Sequence, residues 1–233
     1  MKKIISALYF NELGKREEVP SRVAFLNEAV ILAGSPLVHM GHGVSHFSLA
    51  YNHKKDNQFK GIKDTIYEFK DMQQLQENSF DINILDSIIN NSYKKLTYDL
   101  VDFEVSNGGL LINTSEKHFD YEFMGYSIGK VYIYRVNEHV VEKVNKANVD
   151  RNGKVDEYIG KRENLKFWNG YGQFDTDDIL IVTTAEIKKK DLQEIHRLKR
   201  VDQFDKKTVL KKLKELEKNN ITNELNESYI IIY

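Results

Sequence analysis

The sequence contains no cysteine, and its basic and acidic residues almost balance. Without cysteine the chain can form neither a disulfide nor a reactive or metal-binding thiolate. Thirty-four Lys and Arg residues face thirty-five Asp and Glu residues, which leaves a net charge of −1. A chain with so little net charge has no overall field that attracts nucleic acid or an anionic membrane, so we expect neither as a partner.

Long apolar runs are also missing. No segment approaches the ~18 consecutive apolar residues of a membrane-spanning helix. The apolar run in residues 1–10 is interrupted by Ser6 and Tyr9 and ends at Asn11 without a small-residue cleavage site. It therefore predicts a first β-strand rather than a signal peptide, and a cytoplasmic protein.

Few prolines and glycines punctuate the 233 residues, and no linker or repeat divides them. With 41% hydrophobic and 30% charged residues, the composition is that of a globular protein with a sizeable core. We expect one domain over residues 1–233.

Hydrophobic periodicity gives the order of elements. Apolar residues recur every three or four positions in residues 59–72 and 82–89, which predicts a pair of helices. From Leu96 to Val105 the period changes to two, which predicts a strand, and Asn107, Gly108 and Gly109 predict a hairpin turn after it. The other predictions are a hairpin over 22–32, a glycine-bearing segment 41–52, strands at 121–124, 131–135, 140–144, 178–183 and 229–233, a loop-rich stretch 145–171, and helices at 188–200 and 206–219. This order predicts an α+β fold with two face-to-face antiparallel β-sheets flanked by helix pairs.

Several strings carry a family likeness. Ala33 and Gly34 follow the apolar run of residues 29–32, and Ser127-Ile128-Gly129-Lys130 runs into Tyr132-Ile133-Tyr134-Arg135. Later, the run 179–183 leads to Thr184-Ala185, and Asn226-Glu227-Ser228 precedes the last strand. In this order the strings resemble motifs of the type 2C (PPM) metal-dependent protein phosphatases: a strand into Asp-Gly, then Gly-Asp-Ser-Arg into Tyr-x-Tyr-Arg, then Thr-Asp-Gly, then Asp-Asp-x-Thr before a strand.

The resemblance implies a degenerate member of that family. Ala33, Ile128 and Ala185 stand where the family has metal-binding aspartates, with Tyr126 in place of Ile128 if Gly125 is the matching glycine. Two divalent ions need several carboxylate ligands, and Glu186 alone does not supply them. The resemblance therefore implies a pseudophosphatase without a cofactor.

A relict cleft is the first candidate for binding. The resemblance places Arg16 at the family's phosphate-holding arginine, Gly34 at its Asp-Gly turn and Lys130 at a basic position. These three residues are the predicted ligand-binding site, for a protein partner or a phosphorylated ligand.

Two other clusters suggest different functions. His39, His42 and His46 stand at steps of three and four and suggest an alternative metal site, although Gly41 and Gly43 interrupt the helix that it would need. Phe167, Trp168 and Tyr171 suggest a partner surface, with packing of the same rings onto the sheet as the other interpretation. The leading hypothesis is a catalytically inactive protein that acts by binding or regulation. A hydrolase rebuilt around the histidines and an unrelated α+β interaction module stay open as alternatives.

Overall fold

A computed structural model of the chain describes fifteen stretches of backbone. They are residues 7–10, 16–18, 22–25, 29–36, 44–53, 81–100, 103–113, 121–137, 139–161, 165–174, 178–184, 186–198, 208, 211–212 and 229–232. The predicted first helix, over 59–72, lies outside them, as does most of the one predicted over 206–219.

The first sheet has six strands in the order β2-β1-β12-β11-β8-β9, and all of its neighbours are antiparallel. Its strands are β1 (Ala7–Phe10), β2 (Arg16–Glu18), β8 (Tyr132–Val136), β9 (Val141–Lys143), β11 (Ile179–Thr183) and β12 (Tyr229–Ile232). The first and last described strands pair with each other, so the two ends of the chain are joined in one sheet.

The second sheet also has six antiparallel strands, in the order β10-β7-β6-β5-β4-β3. Its strands are β3 (Arg22–Phe25), β4 (Ala29–Pro36), β5 (Val44–Asn52), β6 (Val105–Asn113), β7 (Tyr121–Ile128) and β10 (Trp168–Phe174). The predicted hairpin over 22–32 is confirmed, because β3 and β4 pair across the residues between them.

The two sheets pack face to face around a shared apolar core. Alternate residues of each strand enter it, as the two-residue period of a strand requires. From β11 it takes Leu180 and Val182, whereas Ile179 and Ile181 point to the opposite face. Ile181 thus lies on the outer face of the first sheet and is as buried as Leu180 and Val182.

Helices α1 (Ile82–Asp99) and α2 (Lys189–Leu198), within the described residues, pack on the outer faces of the two sheets. Helix α1 begins at Asp81, whose carboxylate accepts the backbone N–H of Asn83 at 2.8 Å as an N-cap. Its buried face packs on the second sheet. Helix α2 buries Ile195 against the first sheet. The prediction of an α+β sandwich of two antiparallel sheets is thereby confirmed.

The predicted strand from Leu96 and the turn at residues 107–109 are both wrong. Leu96 still belongs to the last turn of α1, and the strand β6 begins only at Val105. Gly108 and Gly109 lie inside β6, where packing rather than a turn requires them. A Cβ on Gly109 would collide with the carbonyl oxygen of Phe47 and lie 2.7 Å from the hydroxyl of Tyr126.

The stretch 145–171, predicted to be loop-rich, ends in a strand. From Trp168 onward the chain forms β10 along the edge of β7, although Gly170 and Gly172 weaken the strand pattern in the sequence.

None of the helices that the structure describes is long and apolar enough to cross a membrane.

Candidate functional site

Strand ends from both sheets meet at one end of the sandwich. In the second sheet β7 ends at Ile128, β5 ends at Asn52 and β6 begins at Val105. In the first sheet β8 begins at Tyr132, paired with Thr183 at the end of β11. Because residues 129–131 connect β7 to β8, these strand ends share one end of the molecule, here called the turn end.

The β7–β8 turn is held by two polar side chains. Gly129 adopts a positive φ of 80°, which a residue with a side chain rarely takes, and its N–H donates to Oδ1 of Asn148 at 3.1 Å. The next N–H, of Lys130, donates to Oγ of Ser106 at 2.8 Å. Both backbone donors of the turn are therefore satisfied inside the protein.

His53 completes the cluster at the turn end. Its Nε2 lies 2.6 Å from Oγ of Ser106. Burial, and then the nearby charge of Lys130, lower the pKa of His53 from 6.5 to about 4, so the ring is neutral at pH 7. The hydroxyl of Ser106 therefore contacts both the imidazole of His53 and the backbone N–H of Lys130.

A serine hydroxyl beside an imidazole is the arrangement of a nucleophile and its base. Here the hydroxyl is out of reach of a substrate, because Ser106 is fully buried and also bonds the N–H of Lys130. The backbone of Gly129 packs on it so closely that a Cβ there would collide with Oγ. The His53–Ser106 pair therefore supports the turn, and its geometry does not permit acyl or phosphoryl transfer.

Of the three positions matched to metal-binding aspartates, the two that the structure describes, Ile128 and Ala33, lie apart. Ile128, at the end of β7, is fully buried in the apolar layer beneath α1. Ala33 lies in β4, whose last residues pair with the start of β5, so it is in the half of the sheet away from the turn end. Ala185 lies outside the described residues. Its neighbour Glu186 bonds Nζ of Lys143 at 2.6 Å.

The predicted ligand-binding residues are only partly brought together. Lys130 is at the turn end and half-buried, whereas Gly34 lies in β4 with Ala33, away from it. Arg16 begins β2, and the pairing runs from Arg16 through Phe10, Tyr229 and Thr183 to Tyr132. These paired residues form one row across the first sheet, so Arg16 is also at the turn end. It is four strand spacings from β8, or about 19 Å at the usual distance between neighbouring strands.

The alternative histidine site is not tested. His39 and His42 lie outside the described residues, and His46 is in β5, paired with Ser35 and far along the strand from His53. Among the residues that the structure describes, no group of three His, Cys, Asp or Glu side chains is placed to hold a metal ion.

Of the three aromatic residues of the predicted partner surface, two pack against the rest of the protein and one is exposed. Phe167 makes an edge-to-face contact with Tyr93 of α1, with 5.4 Å between ring centroids. Trp168 covers Gly125 and Gly170 in the layer between the sheets. Tyr171 is 50% exposed, and its hydroxyl donates to Glu122 at 2.5 Å. That bond raises the pKa of Tyr171 to about 12, with lesser effects from burial and the charge of Glu122.

Solved structures similar to this chain include bacterial serine/threonine phosphatases. A bacterial serine phosphatase carrying an R161K mutation superposes with a TM-score of 0.66 at 12% identity, covering 98% of this chain and 97% of that one. PppA, described as a key regulatory component of the T6SS in Pseudomonas aeruginosa, gives 0.63 at 10% identity, covering 99% of both chains. The S. agalactiae serine/threonine phosphatase gives 0.63 at 11% identity, covering 98% of both.

The chain has the fold of the bacterial serine/threonine phosphatases. The architecture expected from the type 2C resemblance is thus confirmed, at a sequence identity that shows the fold alone. No protein-family profile matches the sequence, and no curated protein is similar to it.

His53 and Ser106 are hard to identify as neighbours from the sequence. The two residues are 53 positions apart, and they meet only because β5 and β6 pair side by side with Tyr51 opposite Ser106. The one available signal was the polar string that follows the apolar strand at Tyr51, since a strand end is a usual place for functional side chains.

Proposed function

We propose that this chain is a catalytically inactive, phosphatase-like protein that acts by binding a protein partner or a phosphorylated ligand at the turn end. In this proposal residues 1–233 form one phosphatase-like domain. The fold supports the phosphatase likeness, and the side chains of the turn end support the loss of chemistry.

The observation that carries the proposal is the cation that Lys130 places beside His53 at the turn end. The ammonium group of Lys130 is close enough to lower the pKa of His53, and Ile128 places an apolar side chain at the position matched to an aspartate. A pair of divalent ions brings four positive charges, which need carboxylates around them. A cation beside a neutral imidazole and a buried isoleucine instead favours an anion.

The sheet register strengthens this interpretation. At the turn end, one strand (β6) separates Ile128 on β7 from the end of β5. Strand β4 lies one strand further away. We therefore take Asn52 and His53, at the end of β5, as an alternative match to the family's Asp-Gly pair, beside the match of Ala33 and Gly34. Neither alignment supplies the bridging carboxylate, so the inference of an inactive site does not depend on which is chosen.

Lys130 is the residue most suited to contact an anion. It is half-buried, and within the described ranges no carboxylate forms an ion pair with its ammonium group. A charge-assisted hydrogen bond from it to a phosphate or carboxylate contributes about 1.5–3 kcal/mol. At about 19 Å along the sheet, Arg16 would contact a different group of the same partner.

A phosphatase assay tests the loss of chemistry. The purified protein, incubated with manganese and a phosphoserine peptide, should release no phosphate above a blank without protein, while an active bacterial serine/threonine phosphatase does so in the same buffer. Manganese-dependent turnover that a chelator abolishes would overturn the proposal.

Calorimetric titration with a phosphoserine peptide tests the binding site. Lys130→Ala should weaken binding about tenfold or more, which corresponds to the loss of one charge-assisted bond. Lys154→Ala removes an exposed lysine elsewhere and should bind as the wild type does. Equal affinity of the two variants, with unchanged melting temperatures, would exclude Lys130 from the interface.

A further inference from the structure

Strand β10 forms an edge of the second sheet. One side of it pairs with β7 along all seven residues from Trp168 to Phe174. In the part of the chain that the structure describes, no strand pairs with its other side. Alternate backbone N–H and C=O groups of β10 therefore point away from the sheet, which is the arrangement that accepts a further strand.

The described edges of the two sheets differ in how they are protected. The edges β2 and β9 are three residues long and contain charged side chains, and β3 is four residues long and begins with Arg22. Short strands and charges are the usual means by which proteins prevent pairing at an edge. By contrast β10 has seven residues, Trp-Asn-Gly-Tyr-Gly-Gln-Phe, without a charge or a proline.

The side chains of β10 make their described contacts on the two faces of the sheet. Its face toward the core is occupied by Trp168, whose ring covers Gly125 and Gly170, and by Phe174, which packs on Phe123. The other face carries Asn169, whose amide donates to Asp86 at 2.6 Å, together with Tyr171 and Gln173, which are both exposed. The strand is thus fixed in place by contacts on both of its faces.

From this edge we propose that two copies of the chain pair antiparallel along β10, with the two-fold axis at Tyr171. The dimer joins the second sheets of the two copies into one continuous sheet with six strands from each. The register centred on Tyr171 is the one that pairs all seven residues.

The sequence of β10 is complementary to itself in that register. Trp168 stands opposite Phe174 and Gly170 opposite Gly172 on the face toward the core. Asn169 stands opposite Gln173 on the outer face, and Tyr171 faces its own copy. Aromatic pairs and amide pairs are favourable across strands, and no like charges meet. A net charge of −1 per chain gives almost no repulsion between copies.

Cross-linking through a single introduced thiol tests the register, because the natural chain has no cysteine. Tyr171→Cys places two thiols directly opposite each other, with Cα atoms about 4.5–5.5 Å apart, within the range of a disulfide. Mild oxidation by oxidised glutathione should convert most of this variant to a covalent dimer.

Two matched variants control for chance collision. Tyr98→Cys carries its thiol on α1, 84% exposed and away from the edge, and should stay monomeric on a denaturing gel. Gln173→Cys should not cross-link to itself, because its copy lies four residues along the strand, or about 13 Å away. It should cross-link when mixed with Asn169→Cys. Equal cross-linking of Tyr171→Cys and Tyr98→Cys would overturn the proposal.

Sedimentation equilibrium of the unmodified protein tests the dimer itself. The wild type should sediment as a dimer at micromolar concentration. Tyr171→Lys sets two ammonium groups opposite each other while each can still pair with its own Glu122, so its dimer dissociation constant should rise at least tenfold with little change in melting temperature. A wild-type protein that stays monomeric throughout the concentration range would refute the pairing, whether or not another protein binds this edge.

Discussion

His53 makes the stability of this protein depend on pH in a way that can be calculated. The folded state lowers the pKa of His53 from 6.5 to about 4, chiefly because burial disfavours the charged ring. Between these values the unfolded chain binds a proton that the folded chain does not, so stability falls as the pH falls. The contribution is fully present above pH 6.5, is lost progressively toward pH 4, and does not change further below it.

The size of the effect follows from the two pKa values. A tenfold change in a proton equilibrium is worth about 1.4 kcal/mol, so a pKa lowered from 6.5 to about 4 corresponds to about 3 kcal/mol over the full window. Many domains have a total stability of only about 5–15 kcal/mol. Protonation of this one ring therefore removes a substantial part of the free energy of unfolding.

Urea unfolding at a series of pH values between 7.5 and 4 measures this contribution. Carboxylates also titrate in this range, so the wild type is compared with His53→Gln, which keeps a polar group near Ser106 but does not titrate. The free energy of unfolding of the wild type should fall by about 3 kcal/mol more than that of His53→Gln. An exposed-site control, His139→Gln, should follow the wild type. Parallel curves for His53→Gln and the wild type would refute the assignment of a buried, neutral His53.

Further predictions concern packing and are measured by urea or thermal unfolding. Gly109→Ala should destabilise the protein by about 3 kcal/mol or more, because its Cβ meets the backbone of Phe47, which cannot move aside. Gly153→Ala has open space and only the strain of a φ of 78°, so a loss of about 1–2 kcal/mol is expected, and an equal loss in both would contradict the packing of Gly109. Ile181→Asp should abolish folding because it buries an unpaired charge under α2, whereas Val140→Asp, at an exposed position, should fold normally. A soluble, cooperatively melting Ile181→Asp variant would show that the residue is not buried.

Elements with one dominant pattern were predictable. The continuous apolar run at Ile179–Thr183 is a buried strand, and the three- and four-residue spacing from Ile82 is a helix. The order of these elements was enough for the architecture of two antiparallel sheets, because each apolar face must be covered by another layer.

Errors arose where a residue has two uses. Asn107, Gly108 and Gly109 have the composition of a turn, yet they are the centre of a strand. There Asn107 accepts the hydroxyl proton of Tyr93 at 3.2 Å and donates to Ser48 at 3.1 Å, all in the buried layer. Local propensity cannot distinguish a glycine that permits a turn from one that permits close packing, because the difference lies in neighbours distant in sequence.

The sequence by itself determined the fold class, the absence of thiol chemistry and the apolar residue Ile128 at a position matched to an aspartate. Only the tertiary structure decided which residues share the turn end. Sheet pairing brings His53 and Ser106 together with Lys130, and removes Gly34 from them, because neighbours in a sheet are set by register and not by distance along the chain. The position of β10 at the edge of the described sheet is likewise known only from the fold, because it depends on which strands pair with one another.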